Sequence, residues 1–214
     1  SGVHYIGPSV LIERTENGDD NVSDALKKLK TLKEQNSASK IVYCSLGTFN
    51  YRQNRYSRIF FRKVIYAFKD KPGWFVIMAI GDDTPVAELG DIPDNISVFK
   101  VVPQLKVLPV CDVMITHGGF NTVKECILFG VPMIVYPLSN LWDQDGNAAR
   151  VVYNKIGLRG NFEKDSSDNI FSTVNTVIEN HEFKMNATAM GMIFKELNDS
   201  TAGINVIDSF IKRK

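Results

Sequence analysis

The sequence predicts an α/β fold built on a doubly wound parallel sheet. Two observations lead to this class. Short runs rich in Val and Ile alternate along the chain with longer segments whose apolar residues recur at helical spacing. The short runs are apolar throughout rather than alternately polar, which is typical of strands that helices cover on both faces.

Five strands are predicted from the apolar runs, in a Rossmann-like arrangement. They cover residues 40–45, 74–80, 96–101, 112–116 and 132–136. The stretch 59–68 predicts a helix that buries one apolar stripe. Further helices are expected at about residues 120–130, 143–155, 167–180 and 201–212, with a short helical segment after Pro103. The Lys-rich residues 27–33 are interpreted as the solvated face of a helix rather than a binding patch.

The composition excludes several classes of protein. The 214 residues carry 25 Lys and Arg against 24 Asp and Glu, so no basic surface for nucleic acid is expected. No apolar run approaches the roughly 20 residues that span a bilayer, and no signal-peptide pattern is present. The three cysteines are widely spaced and include no CxxC pair, which favours a reducing compartment and hence a cytoplasmic location.

Residues 117–119, His-Gly-Gly, separate the fourth predicted strand from the next helix. Glycine lets a ligand approach bare backbone, and the start of a helix presents unpaired N–H groups that favour an anion such as a diphosphate. Asn121 and Thr122 fall in the first turn, and Glu125 lies one turn further on the same side. The alternative is a plain turn followed by a capping box of Thr122 and Glu125. We favour the anion site.

Two other turns after strands carry polar groups. Residues 45–48, Ser-Leu-Gly-Thr, can offer backbone N–H groups and the Thr48 hydroxyl to the same phosphate, although a plain strand-to-helix turn explains them equally well. Pro103 forces an extended backbone at Val102, so the main chain of Val102 can read the edge of a planar base. The alternative there is a strand that ends at a proline.

Asp143 and Gln144 follow the fifth strand at another helix start. A carboxylate and an amide can grip neighbouring sugar hydroxyls, whereas the residues alone favour an Asp N-cap. Asn147, one turn later, can reach back towards a phosphate. Because ligands of doubly wound sheets bind outside the carboxyl ends of the strands, these turns are expected to converge on one site.

The turns in this order resemble the donor-binding half of the UDP-glycosyltransferases, which have the GT-B fold. The resemblance rests on the segments GPS (7–9), SLGT (45–48), VPQ (102–104), THGGFNTVKE (116–125), GVPMIVYP (130–137) and DQDGN (143–147). It implies one GT-B half-domain: residues 1–12 as the interdomain connection and residues 13–214 as the C-terminal, nucleotide-sugar-binding domain. The N-terminal, acceptor-binding domain is absent from the sequence. The pattern is closest to bacterial members.

The resemblance also implies a role for each site residue. The Val102 main chain and Gln104 contact the uracil, and Glu125 holds the ribose hydroxyls. The diphosphate is cradled by His117, Gly119, Asn121 and Thr122, helped by Thr48. Asp143 and Gln144 bind the transferred sugar. Val101 stands where plant members carry the tryptophan that stacks on uracil. Such enzymes invert the anomeric centre without a bound metal, and the general base is expected in the missing domain, so no catalytic residue is expected in this chain.

The expected function is therefore a UDP-sugar donor-binding domain of an inverting glycosyltransferase that transfers a hexose. Alone it is expected to bind UDP or a UDP-sugar without efficient transfer. One alternative is a natural donor-binding subunit that works with a separate acceptor-binding chain. Another is half of a GT-B UDP-N-acetylglucosamine 2-epimerase or of a lipid-intermediate glycosyltransferase. The acceptor, the sugar and the oligomeric state stay open.

Overall fold

The computed structural model describes residues 7–47, 54–138, 143–199 and 201–212. Within them six strands form one parallel sheet. The strands are β1 (Lys40–Ser45), β2 (Trp74–Ala79), β3 (Ile96–Phe99), β4 (Val113–Thr116), β5 (Met133–Val135) and β6 (Gly157–Arg159). Their spatial order is β3-β2-β1-β4-β5-β6, with every neighbouring pair parallel. The predicted doubly wound, Rossmann-like fold class is confirmed.

Helices precede, connect and follow the strands along the chain. They are α1 (Val22–Gln35), α2 (Asn54–Phe68), α3 (Gln104–Val107), α4 (Phe120–Leu128), α5 (Gln144–Tyr153), α6 (Ser167–Glu179), α7 (His181–Asp199) and α8 (Ala202–Ile211). A short 3₁₀ helix covers Val86–Leu89. No helix in the described ranges is both long enough and apolar enough to cross a membrane.

Both faces of the sheet are buried. Alternate residues of β1 point to opposite faces, so Ile41 and Tyr43 join one apolar cluster while Val42 and Cys44 join the other. The first cluster includes side chains of α1, α4, α5 and α7, and the second includes side chains of α2 and α6. This two-sided cover explains why the strands read as continuous apolar runs.

The strand order reverses at β1, which has β2 on one side and β4 on the other. Ser45, the last residue of β1, is the register partner of Thr116, the last residue of β4. The turn that leaves β1 and the His-Gly-Gly turn that leaves β4 therefore lie side by side. A crevice outside the carboxyl ends of the strands is expected at such a switch point.

The short 3₁₀ helix and two larger elements, β6 and α7, were not predicted from the sequence. β6 has three residues and includes a glycine and an arginine, so it lacks the apolar run by which the other strands were recognised. The 19-residue α7 keeps large apolar side chains exposed, such as Met185 and Met192, and this blurs its helical pattern. The Lys-rich stretch lies on α1 as expected, but Lys33 forms an ion pair with Asp112 and so is not wholly solvated.

The cysteines are free and buried, as the sequence indicated. Burial raises the pKa of the Cys111 thiol to about 12 and also raises the pKa of Cys44 and Cys126. All three are therefore protonated at neutral pH and behave as small apolar residues of the core.

A polar cleft at the carboxyl ends of the strands as candidate functional site

A cleft with a volume of about 960 Å³ lies at the switch point of the sheet. The turns after β1, β2, β3 and β4 contribute to its walls, together with the start of α5 and the extended segment 14–17. Most of the residues predicted for the site line this cleft: Val102, Gln104, His117, Gly119, Asn121, Thr122, Glu125 and Asp143. Residues more than 40 positions apart in sequence are thus brought to one place.

Two predicted residues, Gln144 and Asn147, do not line the cleft, and a third cannot be placed. Thr48 lies outside the described residues. The side-chain oxygen of Gln144 accepts a hydrogen bond from the Leu138 N–H at 2.7 Å. Asn147 is buried, and its Nδ2 donates to the Gly118 carbonyl and to Oδ2 of Asp143, each at 2.9 Å. Asn147 therefore joins the start of α5 to the His-Gly-Gly turn.

The imidazole of His117 lies between two glycines. A Cβ built on Gly47 would be 2.5 Å from Cε1 of the ring, and a Cβ built on Gly119 would be 2.6 Å from Nε2. Nδ1 is buried and has no hydrogen-bond partner among the described residues. Burial lowers the pKa of His117 to about 4, although the nearby Asp143 carboxylate acts in the opposite direction. The ring is therefore neutral at pH 7 and has one N–H to donate.

The N-terminus of α4 opens beside this ring. Its N-cap is Gly119, and no described side chain caps the helix. The first backbone bond within the helix runs from the Val123 N–H to the Gly119 carbonyl at 3.0 Å. The N–H groups that precede it, those of residues 120–122, have no acceptor within the helix. The capping-box alternative is wrong, because Glu125 binds elsewhere.

Gly118 forms the bend before α4. Its φ of 86° lies in the left-handed region, and a Cβ there would be 2.5 Å from Cγ1 of Val135. Any side chain would therefore strain the backbone and clash with β5. The sequence folds into this turn because two consecutive residues lack side chains, one for conformation and one to make room for the imidazole.

The carboxylate of Glu125 is buried and accepts two side-chain hydrogen bonds. Its Oε1 accepts from Nη1 of Arg14 at 2.5 Å, and its Oε2 accepts from Nε2 of Gln104 at 2.6 Å. The side chain of Glu125 is only 3% exposed. A buried charge needs such partners, because the loss of its hydration costs on the order of several kcal/mol when the ion is unpaired.

The sequence did not identify Arg14 and its neighbours as residues of the site. The segment 14–19 runs along the turn that follows β3: Oε2 of Glu16 accepts from the Leu105 N–H at 2.7 Å, and Oδ2 of Asp19 accepts from the Lys100 N–H at 2.8 Å. No motif marks this segment. In the structure Arg14 and Glu16 are partly buried whereas Thr15 and Asn17 are exposed, an alternation that the sequence alone does not reveal.

Carboxylates outnumber cations in the cleft. Two cationic side chains, Arg14 and Lys100, face five acidic ones: Glu16, Asp82, Asp83, Glu125 and Asp143. Net charge therefore does not attract an anion here. An anionic ligand has to rely on local donors, which are the start of α4, the His117 N–H and the two cations. Among the described residues, no group of three or more His, Cys, Asp or Glu side chains is arranged to hold a metal ion.

A doubly wound parallel sheet with a cleft outside the carboxyl ends of its strands defines the class of Rossmann-like α/β domains. Comparison with known proteins then gives the family. Residues 20–198 match the model of the family described as UDP-glucoronosyl and UDP-glucosyl transferase. The chain belongs to this family.

Curated relatives support the same assignment. The chain is 32% identical over 210 residues to the Uncharacterized UDP-glucosyltransferase YdhE of Bacillus subtilis (strain 168), a match that covers 98% of this chain and 48% of the relative. It is 39% identical over 111 residues to the oleandomycin glycosyltransferase of Streptomyces antibioticus, covering 52% of this chain and 24% of the relative. The chain spans about half or less of the length of these relatives.

Solved structures agree on the fold. The glycosyltransferase of kitacinnamycin superimposes with a TM-score of 0.72 at 27% identity, covering 81% of this chain and 43% of that one. The rice (O. sativa) protein Os79, crystallised in complex with UDP, superimposes with a TM-score of 0.71 over 93% of this chain and 44% of that one. Its identity is 16%, so it supports the fold alone. The structural neighbours are GT-B glycosyltransferases, and the chain corresponds to somewhat under half of each.

Proposed function

We propose that this chain is the UDP-sugar-binding half of an inverting glycosyltransferase that transfers a hexose to an acceptor held outside the chain. Family membership supports the reaction class. The observation that carries the donor-binding role is the open N-terminus of α4 beside the neutral His117, inside a cleft at the switch point. Nucleotides bind at this place in doubly wound sheets.

In this proposal the diphosphate binds at the start of α4. The backbone N–H groups of residues 120–122 and the N–H of His117 donate to its oxygens, and the side chains of Asn121 and Thr122 add further hydrogen bonds. Negative charge grows on the leaving diphosphate as its bond to the sugar breaks. Donors already in place stabilise that charge most in the transition state, which accelerates the reaction without a resident metal ion. The role of Thr48 stays a prediction.

The nucleoside is proposed to lie along the turn after β3. The main chain of Val102 reads the uracil, and Gln104 has its carbonyl and a second N–H available for the base while it bonds Glu125. Glu125 accepts from the ribose.

The transferred sugar is proposed to lie near Asp143, which is exposed at the cleft. Its carboxylate accepts from sugar hydroxyls and is held in place by Asn147. Gln144 contributes only after its side chain turns away from the Leu138 N–H. We assign Asn147 this supporting role in place of the direct phosphate contact expected from the sequence.

Acceptor binding and the general base are proposed to come from the part of such enzymes that this chain does not match, since it spans about half of its curated relatives. Alone, the chain is expected to bind UDP without efficient transfer. The three free, buried thiols support the expected cytoplasmic location.

Calorimetric titration with UDP tests the donor-binding role. The unmodified chain should bind, and His117→Ala or Glu125→Ala should each weaken binding by about ten-fold or more, because each loses charge-assisted hydrogen bonds to the ligand. His181→Ala is the matched control, because this exposed histidine of α7 does not line the cleft. No heat, together with no thermal stabilisation by millimolar UDP, would contradict the proposal.

A further inference from the structure

The guanidinium of Arg14 joins two carboxylates at the wall of the cleft. Its Nη1 donates to Oε1 of Glu125 at 2.5 Å, and its Nη2 and Nε donate to Oε1 of Glu16 at 2.5 and 3.2 Å. Glu16 is in turn anchored by the Leu105 N–H. Arg14 is thus held in one orientation by two acceptors and by the turn after β3, although it lies 111 positions from Glu125 in sequence.

Glu125 lines the cleft and keeps unused acceptor capacity. Each carboxylate oxygen has two lone-pair positions, and the contacts seen use one on each oxygen, Arg14 on Oε1 and Gln104 on Oε2. One position on each oxygen remains. Two neighbouring hydroxyl groups are the ligand that matches this arrangement, because each hydroxyl donates one hydrogen bond.

We propose that Arg14 is a positioning residue for the nucleotide, which orients the Glu125 carboxylate so that its free lone pairs accept the two ribose hydroxyls. This inference rests on the proposed function of the cleft. It makes Arg14, through Glu125, the determinant of the preference for ribose over 2′-deoxyribose.

The physical need for an arginine follows from burial. A carboxylate that is 3% exposed is stable only with a fixed, charged partner. The planar fork of arginine bonds Glu125 and Glu16 in one geometry, whereas the single ammonium of lysine does not fix the direction of the carboxylate. Hydrogen bonding to Glu125 also raises the pKa of Arg14, which keeps the guanidinium charged at all working pH values.

The test compares UDP with 2′-deoxy-UDP as calorimetric ligands. The unmodified chain should bind UDP about ten-fold more tightly, since the deoxy compound leaves one lone pair of Glu125 unused. Arg14→Gln should weaken UDP binding by about ten-fold and bring the ratio of the two dissociation constants close to one. Arg14→Lys, which keeps the charge, should give an intermediate ratio.

Lys100→Gln is the matched control. It removes the other positive charge of the cleft without touching Glu125, so it should weaken both ligands by the same factor and leave their ratio unchanged. Thermal unfolding checks that each variant is folded. If Arg14→Gln does not fold, the Arg14→Lys ratio decides, and a full ribose preference in that variant overturns the inference.

Three other results also overturn it. A wild-type ratio in Arg14→Gln would show that Glu125 needs no positioning by Arg14. Tighter UDP binding by Arg14→Gln would show that Arg14 competes with the ribose. Failure of the unmodified chain to bind UDP at all would contradict the proposed function as well. That outcome is recognised because no variant then gives a binding signal with either ligand.

Discussion

A methyl group on the Cα of Gly119 would lie 2.6 Å from Nε2 of His117. The φ of Gly119 is −60°, which any residue adopts, so the glycine is needed here for space rather than for backbone conformation. Gly47 gives the same clearance on the other side of the ring. The imidazole is therefore a flat group between two bare stretches of backbone, and its orientation relative to α4 depends on both.

Gly119→Ala is expected to displace the His117 ring. Because the backbone at this position tolerates a side chain, the clash with the imidazole is the main cost, and overpacking of this kind destabilises by about 1–3 kcal/mol. The displaced ring no longer donates beside the start of α4, so UDP binding should also weaken by about ten-fold. Urea unfolding and calorimetry measure the two effects.

The control is Gly146→Ala, within α5. The Cβ would come 3.2 Å from Nη1 of Arg150, the end of a flexible side chain, and alanine favours a helix over glycine. This variant should be as stable as the unmodified chain or more so, with unchanged UDP affinity. If Gly119→Ala and Gly146→Ala had equal effects, Gly119 would not be needed to make room for the imidazole.

His117 also predicts how stability depends on pH. Burial lowers its pKa to about 4 in the folded chain, against about 6.5 when unfolded. Between these values the unfolded chain binds a proton that the folded chain does not, so the free energy of unfolding falls as the pH is lowered from 6.5 to 4. The contribution is on the order of 2–3 kcal/mol over that range and is constant above about pH 7.

A comparison of variants isolates this contribution from those of the carboxylates. His117→Gln cannot take up the proton, so its free energy of unfolding should fall less steeply between pH 6.5 and 4 than that of the unmodified chain. His181→Gln, at an exposed site, should follow the unmodified chain. If the free energy of unfolding fell equally steeply for the unmodified chain and His117→Gln, the ring would take up its proton in the folded chain as readily as in the unfolded chain.

The fold was predictable wherever one physical signal dominated. β1, β2, β4 and β5 are buried on both faces, and each is a run of apolar residues between turn residues. β6 was not predictable in this way, because its three residues lie at the edge of the described sheet, where they pair with β5 and need no apolar run. The C-terminal helix α8 was predicted from an apolar face, yet Ile204 and Ile207 are more than half exposed on it.

The candidate site was predictable where its residues follow strands. The carboxyl ends of parallel strands lie at one edge of the sheet, so His117 and Gln104 were expected at that same edge. Arg14 follows no strand and belongs to no motif; only the folded path of segment 14–19 along the turn after β3 brings it to Glu125. Contacts of this kind depend on tertiary packing and leave no local pattern.

Asn147 gives a last prediction, because its amide is the link between the starts of α4 and α5. The Gly118 carbonyl that accepts from Asn147 is buried, and Asp143 is the N-cap residue of α5. The bond therefore fixes the bend that precedes α4 relative to the carboxylate proposed to bind the sugar. Its loss affects the site as well as the core.

Asn147→Ala should lower the free energy of unfolding by about 1–3 kcal/mol, since it leaves the buried Gly118 carbonyl without a donor. It should also weaken UDP binding several-fold, because the bend beside His117 is no longer held. Asn154→Ala, at the end of the same helix, is the control: its Nδ2 bonds the Arg150 carbonyl at 2.7 Å at an exposed position, where water replaces the lost donor. That variant should change neither quantity by more than about 0.5 kcal/mol. If Asn147→Ala destabilises the chain while UDP affinity is unchanged, Asn147 supports the core and not the site. If both substitutions have the same small effect, Asn147 supports neither.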